Sequence, residues 1–424
     1  MKISNPENRS ILVIAPQFPS VYQRWMDTYL EQLLAHNFRP HIYSYQLEEL
    51  PYHQKVDDLK LRECVIDFTI ETADALAELL HHPRIVLRMI NPFNRIHRIA
   101  CKVKKEYGVS YIETLSKLAR FQQHAKIFEE IDCIHAHEEI TGFHFASLSM
   151  LMDIPLVLTF HGLPTPGTAQ LAAPKRKMLF DQATSVLTCT GFAKNLLAGI
   201  GCKTEKVEVV RVGVHLPDFP YSPRELPRDG EPLWILSVGR FHRDKGHGHV
   251  ILAVRRLIDW GLNVKLNVVG GGRLLGYLQS LVEKMGLQEQ VTIREHGSTE
   301  TLNEIYRQTH CLVLASNASS REKTVENQGV VLQEAQSTGC VAIASNVGGL
   351  PEVINHEKDG LLVPQRSSKA ITSAILRLIE DEELYAALQQ AGRKHVEETM
   401  STAVIGKFMA EFFEDIIENH TQAN

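Results

Sequence analysis

Short apolar runs rich in Val and Ile alternate with longer stretches in which apolar positions recur at helical spacing, and the alternation persists along the whole chain. In the first half the runs are ILVIAP (11–16), PHIYSY (40–45), CIHAH (133–137), PLVLTFHG (155–162), SVLTCT (185–190) and KVEVVRVGV (206–214). Such runs suit parallel strands buried on both faces. An amphipathic stretch from Tyr22 to His36 follows the first of them. The segment PDFPYSPRELPRDGEP (217–232) is dense in proline and charge, has no periodicity, and reads as a linker. Beyond it the alternation restarts with LWILSVG, VKLNVVG, VTIREHG, CLVLAS and CVAIAS. Between the first two, Val250, Ile251, Val254, Leu257 and Ile258 form one buried helical stripe. The pattern predicts an α/β chain of two doubly wound domains in tandem, 1–217 and 232–399. A last periodic stretch, Val404 to Ile417 within 400–424, is expected to pack back on the first domain.

Composition narrows the class. A chain of 424 residues exceeds one ordinary core, and its 44% hydrophobic and 22% charged content is that of a globular protein. A net charge of −5 argues against a general nucleic-acid binder. Seven dispersed cysteines without a CxxC read as reduced thiols, and no apolar run reaches the length of a membrane span. With no secretory leader at the N-terminus, the expected location is the cytoplasm.

Ligands of doubly wound sheets bind beyond the carboxyl ends of the strands, so chemistry is sought in those loops. SVGRFHRDKGHG places Arg240 and Lys245, each beside a glycine, in one strand-to-helix loop, which suits an anion approaching backbone closely. VVGGGRLLGY (268–277) is one residue off a dinucleotide fingerprint, lacks the acidic residue expected about 20 positions later, and reads as a tight turn. In ENQGVVLQE, Gly329 is expected to start a helix with Glu334 about one turn inside, while Glu326 sits in the preceding loop. Helix N-termini favour phosphate, and two carboxylates beside one would oppose it. They fit better as acceptors for hydroxyls on either side of a diphosphate, as in a nucleotide sugar.

ENQGVVLQE resembles the E-x7-E signature of retaining glycosyltransferases of family 4, which have the GT-B fold of two Rossmann-like domains facing a cleft. SVGRFHRDKG, NVGGLPEVINHEKDGLLVP, EKVEVVRVGVHLPDF, HAHEEITG and TFHGLP are similar to further motifs of that family, in the flavour of exopolysaccharide (colanic-acid type) enzymes. The resemblance implies that Arg240 and Lys245 bind the diphosphate and Glu334 the ribose. It implies that Glu326, Asn327, Gln328, Gly329 and Val330 meet the donor sugar, backbone near His296 and Gly297 the base, and His161 the sugar from the other domain. It further implies a hexose donor, UDP-glucose first, transferred with retention to a glycan or lipid-linked acceptor. The chain departs from the pattern with PQFPSVYQRW in place of a glycine pair, and with Asn327-Gln328 in place of a Gly-aromatic pair. It has no DxD, which fits a donor site that needs no metal and no cofactor.

Other readings stay open: a nucleotide-sugar-binding protein or GT-B-like epimerase without transferase activity, or an NAD enzyme built on the Gly270 turn. His135 and His137 share a strand face, so either a metal or a single cleft-lining histidine is conceivable. His242, His247 and His249 read as surface polarity. The segment 84–105 carries Arg84, Arg88, Arg95, Arg98, Lys102, Lys104 and Lys105 among apolar residues with no acid. It is a candidate for peripheral contact with the inner membrane face, against the alternative of a solvated helix pair.

Overall fold

The computed structural model describes residues 9–19, 24–47, 54–68, 91, 93–162, 170–228, 230–295, 299–318 and 325–423. The chain divides into two compact units, 1–189 with 194–210 and 406–424, and 190–193 with 211–405.

The first unit holds six parallel strands, β1 (Arg9–Phe18), β2 (Phe38–Leu47), β3 (Cys133–His137), β4 (Leu156–Phe160), β5 (Ser185–Thr188) and β6 (Val207–Val209), in the order β2-β1-β3-β4-β5-β6. The order reverses between β1 and β3, which makes the carboxyl ends of these strands a switch point of the kind where ligands bind. Every residue of β3 and β4 is buried, as expected for strands covered on both faces. The C-terminal helix Thr402–Ala423 supplies Phe413 and Ile417 to this unit, where Phe413 packs on Phe38 and His135. Arg9 pairs with Glu418 at 2.8 Å.

Residues 84–90 and 92 of the basic segment 84–105 lie outside the described residues. Its residues from Arg95 on belong to the helix Arg95–Tyr107, whose apolar residues Ile96, Ala100 and Val103 are buried in the core of the unit. Their spacing of four and three is one helical stripe, so these side chains are already used for folding. Arg98, Lys102, Lys104 and Lys105 are exposed on the other side.

The second unit repeats the architecture with β7 (Leu233–Val238), β8 (Val264–Val269), β9 (Val291–Arg294), β10 (Cys311–Leu314), β11 (Val341–Ser345) and β12 (Leu361–Val363), all parallel, ordered β12-β11-β10-β7-β8-β9. Its switch point lies between β7 and β10. The helix His247–Asp259 buries Val250, Ile251, Ala253, Val254 and Leu257 against the sheet. The proline-rich segment is not free chain. Arg224 donates to the carbonyls of Tyr306, Arg307 and Thr338, and Gln389 donates to the Arg224 carbonyl, so 217–228 straps the second unit. The change of unit falls earlier, at Val210–Arg211.

Candidate active site

The loop after β7 is fixed from below by a histidine. His247 is buried at the start of its helix, with Nε2 lying 3.2 and 3.3 Å from the carbonyl oxygens of Gly239 and Arg240. Nε2 therefore carries the proton and donates, while Nδ1 accepts from the Ser237 hydroxyl at 2.9 Å. Burial pushes its pKa down to about 4, so it stays neutral. His247 is thus a pin for this loop and not the surface polarity expected. His242 bridges Asp244 and Arg273, each at 2.5 Å, which brings a further cation beside the loop. Asn317, just past β10, donates its N–H to the Asp244 carbonyl at 2.7 Å. Gly246 allows this closeness: its φ is +68°, and a Cβ there would lie 1.9 Å from the Ala315 carbonyl oxygen.

At this switch point Lys245 and Glu326 meet. Their Nζ and Oε2 are 2.5 Å apart, with side chains 17% and 12% exposed, and the Ser316 hydroxyl donates to the same carboxylate oxygen at 3.0 Å. Arg240 is exposed at the end of β7. The two residues expected to serve phosphate and sugar are therefore neighbours that neutralise each other.

Gly329 caps the helix Val330–Thr338 with φ +67°, and a Cβ there would meet Leu314 and Leu350 at 2.8 Å. Glu334 lies one turn in, and the buried Tyr306 donates its hydroxyl to the Glu334 carboxylate at 2.8 Å. Side chains of the two residues after Glu326 are used within the unit. Gln328 accepts from the Val212 N–H at 2.8 Å and donates to the Val212 carbonyl at 2.9 Å, and Asn327 accepts from the Thr190 hydroxyl at 2.5 Å. With both atoms of its amide committed, what Gln328 can still offer a ligand is backbone. The paired glycines after β11 lie on the backbone of the same segment: the Gly349 N–H donates to the Glu326 carbonyl at 3.1 Å, and a Cβ at Gly348 would lie 2.1 Å from the same oxygen.

In the first unit the strand register assembles three histidines. His137 pairs with Thr159, and His161 stands two residues beyond, on the same face. His137 Nδ1 lies 2.9 Å from His161 Nε2, and the Trp25 ring lies tilted against His161 with ring centres 3.8 Å apart. His135 bonds Tyr29 at 2.6 Å and Thr159 at 2.7 Å. Burial holds His135 and His161 down to about 3, and His137 well below its ordinary value. Among the described residues no group of three or more His, Cys, Asp or Glu side chains is arranged to hold a metal.

His296 and Gly297 lie outside the described residues. Four residues escaped the sequence reading: Tyr306, Ser316, Arg273 and Trp25. Only Trp25 left a signal there, as the aromatic end of the departing PQFPSVYQRW. The near-fingerprint turn is structural, since a Cβ at Gly270 would lie 1.9 Å from the Gly239 carbonyl oxygen.

Residues 218–395 match the family model for glycosyl transferases group 1, and residues 67–217 that for Glycosyltransferase Family 4. The amylovoran biosynthesis glycosyltransferase AmsK of Erwinia amylovora is 27% identical over 260 residues, 61% of this chain and 63% of that one. A GDP-mannose-dependent alpha-(1-6)-phosphatidylinositol monomannoside mannosyltransferase of Mycobacterium tuberculosis is 29% identical over 223 residues, 50% of this chain and 57% of that one. Among solved structures, HepE of Anabaena in complex with UDP superposes with a TM-score of 0.69 at 15% identity, covering 96% of this chain and 100% of that one. Two adjoining glycosyltransferase models, two six-stranded parallel sheets and this fold likeness together make the chain a glycosyltransferase of the GT-B type.

Proposed function

We propose that the protein transfers a hexose from a nucleotide sugar, UDP-glucose being the first candidate, to a glycan or lipid-linked acceptor in exopolysaccharide biosynthesis, with retention of configuration. The observation that carries the reading is the Lys245–Glu326–Ser316 cluster at the β7/β10 switch point, with Glu334 one turn inside the adjoining helix. A cation and a helix N-terminus suit a diphosphate, and flanking carboxylates suit hydroxyls. In this reading Arg240, Lys245 and the backbone at Gly329 and Val330 take the charge of the leaving diphosphate without a divalent metal. Glu334 holds the ribose. Glu326 orients the sugar and offsets positive charge as the anomeric carbon becomes oxocarbenium-like, and His161 of the first unit serves that sugar. The acceptor hydroxyl attacks from the face the diphosphate leaves, giving its proton to the departing phosphate.

The part AmsK plays in amylovoran biosynthesis supports the polysaccharide setting, and the complex of HepE with UDP supports uridine as the base. The mycobacterial relative keeps GDP-mannose as the rival donor. A thermal-shift panel of UDP, GDP, ADP and their sugars tests the assignment, because a ligand raises stability by RT ln(1 + [L]/Kd). Stabilisation by GDP-mannose and not by UDP-glucose would replace the donor. Transfer of labelled sugar to an acceptor panel separates a transferase from a binding protein or epimerase.

A further inference from the structure

A single residue joins β3 to the helix Glu139–Met152, and it stands in a backbone conformation that side chains disfavour. Glu138 has φ +84° and ψ 168°, a region essentially reserved for glycine. The other non-glycine residues at positive φ among the described residues lie at 52–65°, within the ordinary left-handed well. The corner is clamped through its backbone. The Glu138 N–H donates to the Thr159 carbonyl at 2.9 Å, and the Gly142 N–H donates to the Glu138 carbonyl at 3.2 Å. The Thr141 hydroxyl is shared between the carbonyls of His137 and Glu138, at 2.5 and 3.0 Å. The helix sits close on β4, since a Cβ on Gly142 would lie 2.3 Å from the Leu158 side chain. Glycine at 138 would keep all of these contacts without strain, because residue 138 contributes only peptide groups to them.

No contact of the side chain explains the strain. Glu138 is exposed, and among the described residues its carboxylate has neither a hydrogen bond nor an ion pair. The adjacent Glu139 is the contrast: it is buried and accepts from the N–H groups of Gln170 and Leu171 at 2.8 and 3.3 Å. Strain of this kind gathers at ligand sites, where the surrounding structure holds it in place. A strand, one corner residue and a helix is also the geometry by which α/β-hydrolases raise a nucleophile above their sheet. Glu138 stands at the carboxyl end of β3, one of the two strands at the switch point of the first unit. We infer that the Glu138 carboxylate accepts a hydrogen bond from a hydroxyl of the sugar acceptor. The inference rests on the transferase reading above, in which the second unit holds the diphosphate and ribose of the donor. A carboxylate at this corner repels a phosphate and selects an uncharged, hydroxylated group. Glu138 binds and orients; the proton of the attacking hydroxyl still passes to the departing phosphate.

The test uses the full-length protein with UDP-glucose and GDP-mannose as donors and a panel of p-nitrophenyl glycosides as acceptor probes. Glu138→Gln, Glu138→Ala and Glu138→Gly each raise KM for the glycoside about ten- to a hundredfold, the effect of losing one hydrogen bond to a charged group. The KM of the donor, and its slow hydrolysis without any glycoside, stay unchanged. One member of a monodeoxy series, lacking the bound hydroxyl, is used equally by Glu138→Gln and the unaltered protein. The strain is read separately: Glu138→Gly unfolds at a higher temperature than Glu138→Ala, against the greater freedom of glycine in the unfolded chain. A loss that falls equally on donor hydrolysis places the carboxylate at the donor and overturns the inference. Unchanged glycoside kinetics, hydrolysis without transfer to any glycoside, or a glycine variant no more stable than the alanine one overturn it too. If the unaltered protein neither transfers nor hydrolyses either sugar, the transferase reading falls and this inference with it.

Discussion

Replacing Lys245 by Met is the most informative single change, because it acts on a contact the structure already makes. Lys245 and Glu326 are 2.5 Å apart with side chains 17% and 12% exposed. An exposed pair contributes about 0–1 kcal/mol, whereas stripping one partner from a fully buried pair costs about 3–5 kcal/mol. With Ser316 still donating to Glu326, a stability loss of about 1–2 kcal/mol is expected. For the nucleotide, the loss is one charge-assisted hydrogen bond, about 1.5–3 kcal/mol, or roughly ten- to a hundredfold in Kd for UDP. Glu326→Gln has the opposite sign for UDP. It releases Lys245 from its partner and removes a negative charge beside the diphosphate, so UDP binds as tightly or more tightly while transfer falls. In the Lys245→Met background the unneutralised carboxylate repels the ligand, and adding Glu326→Gln recovers several-fold of the affinity. Calorimetric titration of UDP into the four proteins of this cycle gives each term. Equal weakening of UDP by Lys245→Met and Glu326→Gln would refute the division of roles, and unaltered affinity in Lys245→Met would remove this lysine from the diphosphate site.

Further expectations concern the remaining groups. Glu334→Gln weakens UDP about ten- to a hundredfold, while Tyr306→Phe, which only loosens that carboxylate, costs about 0.5–1.5 kcal/mol or a few-fold; titration of UDP ranks the two. His161→Ala loses most transfer and retains UDP binding, which a radiolabel assay beside a titration measures. Transfer persists in excess EDTA, and an absolute need for Mg2+ or Mn2+ would defeat the charge-compensation argument. His247 is held neutral with its pKa near 4, against an ordinary 6.5. The unfolded chain therefore binds more protons between these values, and this histidine alone subtracts about 1.4 kcal/mol of stability per pH unit as pH falls through that window. Denaturation at pH 7.5 and 5.5 should show a difference about 1 kcal/mol smaller in His247→Gln.

Much of the fold was legible because both faces of every central strand are buried, which leaves an unbroken apolar run in the sequence. CIHAH and the core of CVAIAS coincide with β3 and β11. β12 has only three residues, too few for a periodicity, and went unread. The proline-rich segment looked like a linker because its attachment uses Arg224 and backbone carbonyls, which leave no apolar pattern. In the site, the residues holding charge were legible and the residues holding those residues were not. Gln328 has the chemistry of a sugar ligand, yet its amide is committed to Val212, a partner 116 positions away. His247 differs from His249 in sequence only by position, and burial alone separates them.

The contact of Gly348 and Gly349 with the backbone of Glu326 and Asn327 sets the size of the piece that can be exchanged between related enzymes. Because the two loops touch through peptide groups, neither reads the other's side chains. The side chains of 326–328 answer to other partners, Lys245, Thr190 and Val212, and this contact asks only that the glycines opposite remain bare. A transplant of ENQGVVLQE alone into another scaffold would arrive without its counter-surface, and the grafted carboxylate would drift. The heritable module is therefore discontinuous, 326–334 together with 346–350, with the strand CVAIAS as the spacer that brings its halves face to face. Recombination that cuts between them breaks the module, whereas a crossover before 325 or after 353 moves it whole.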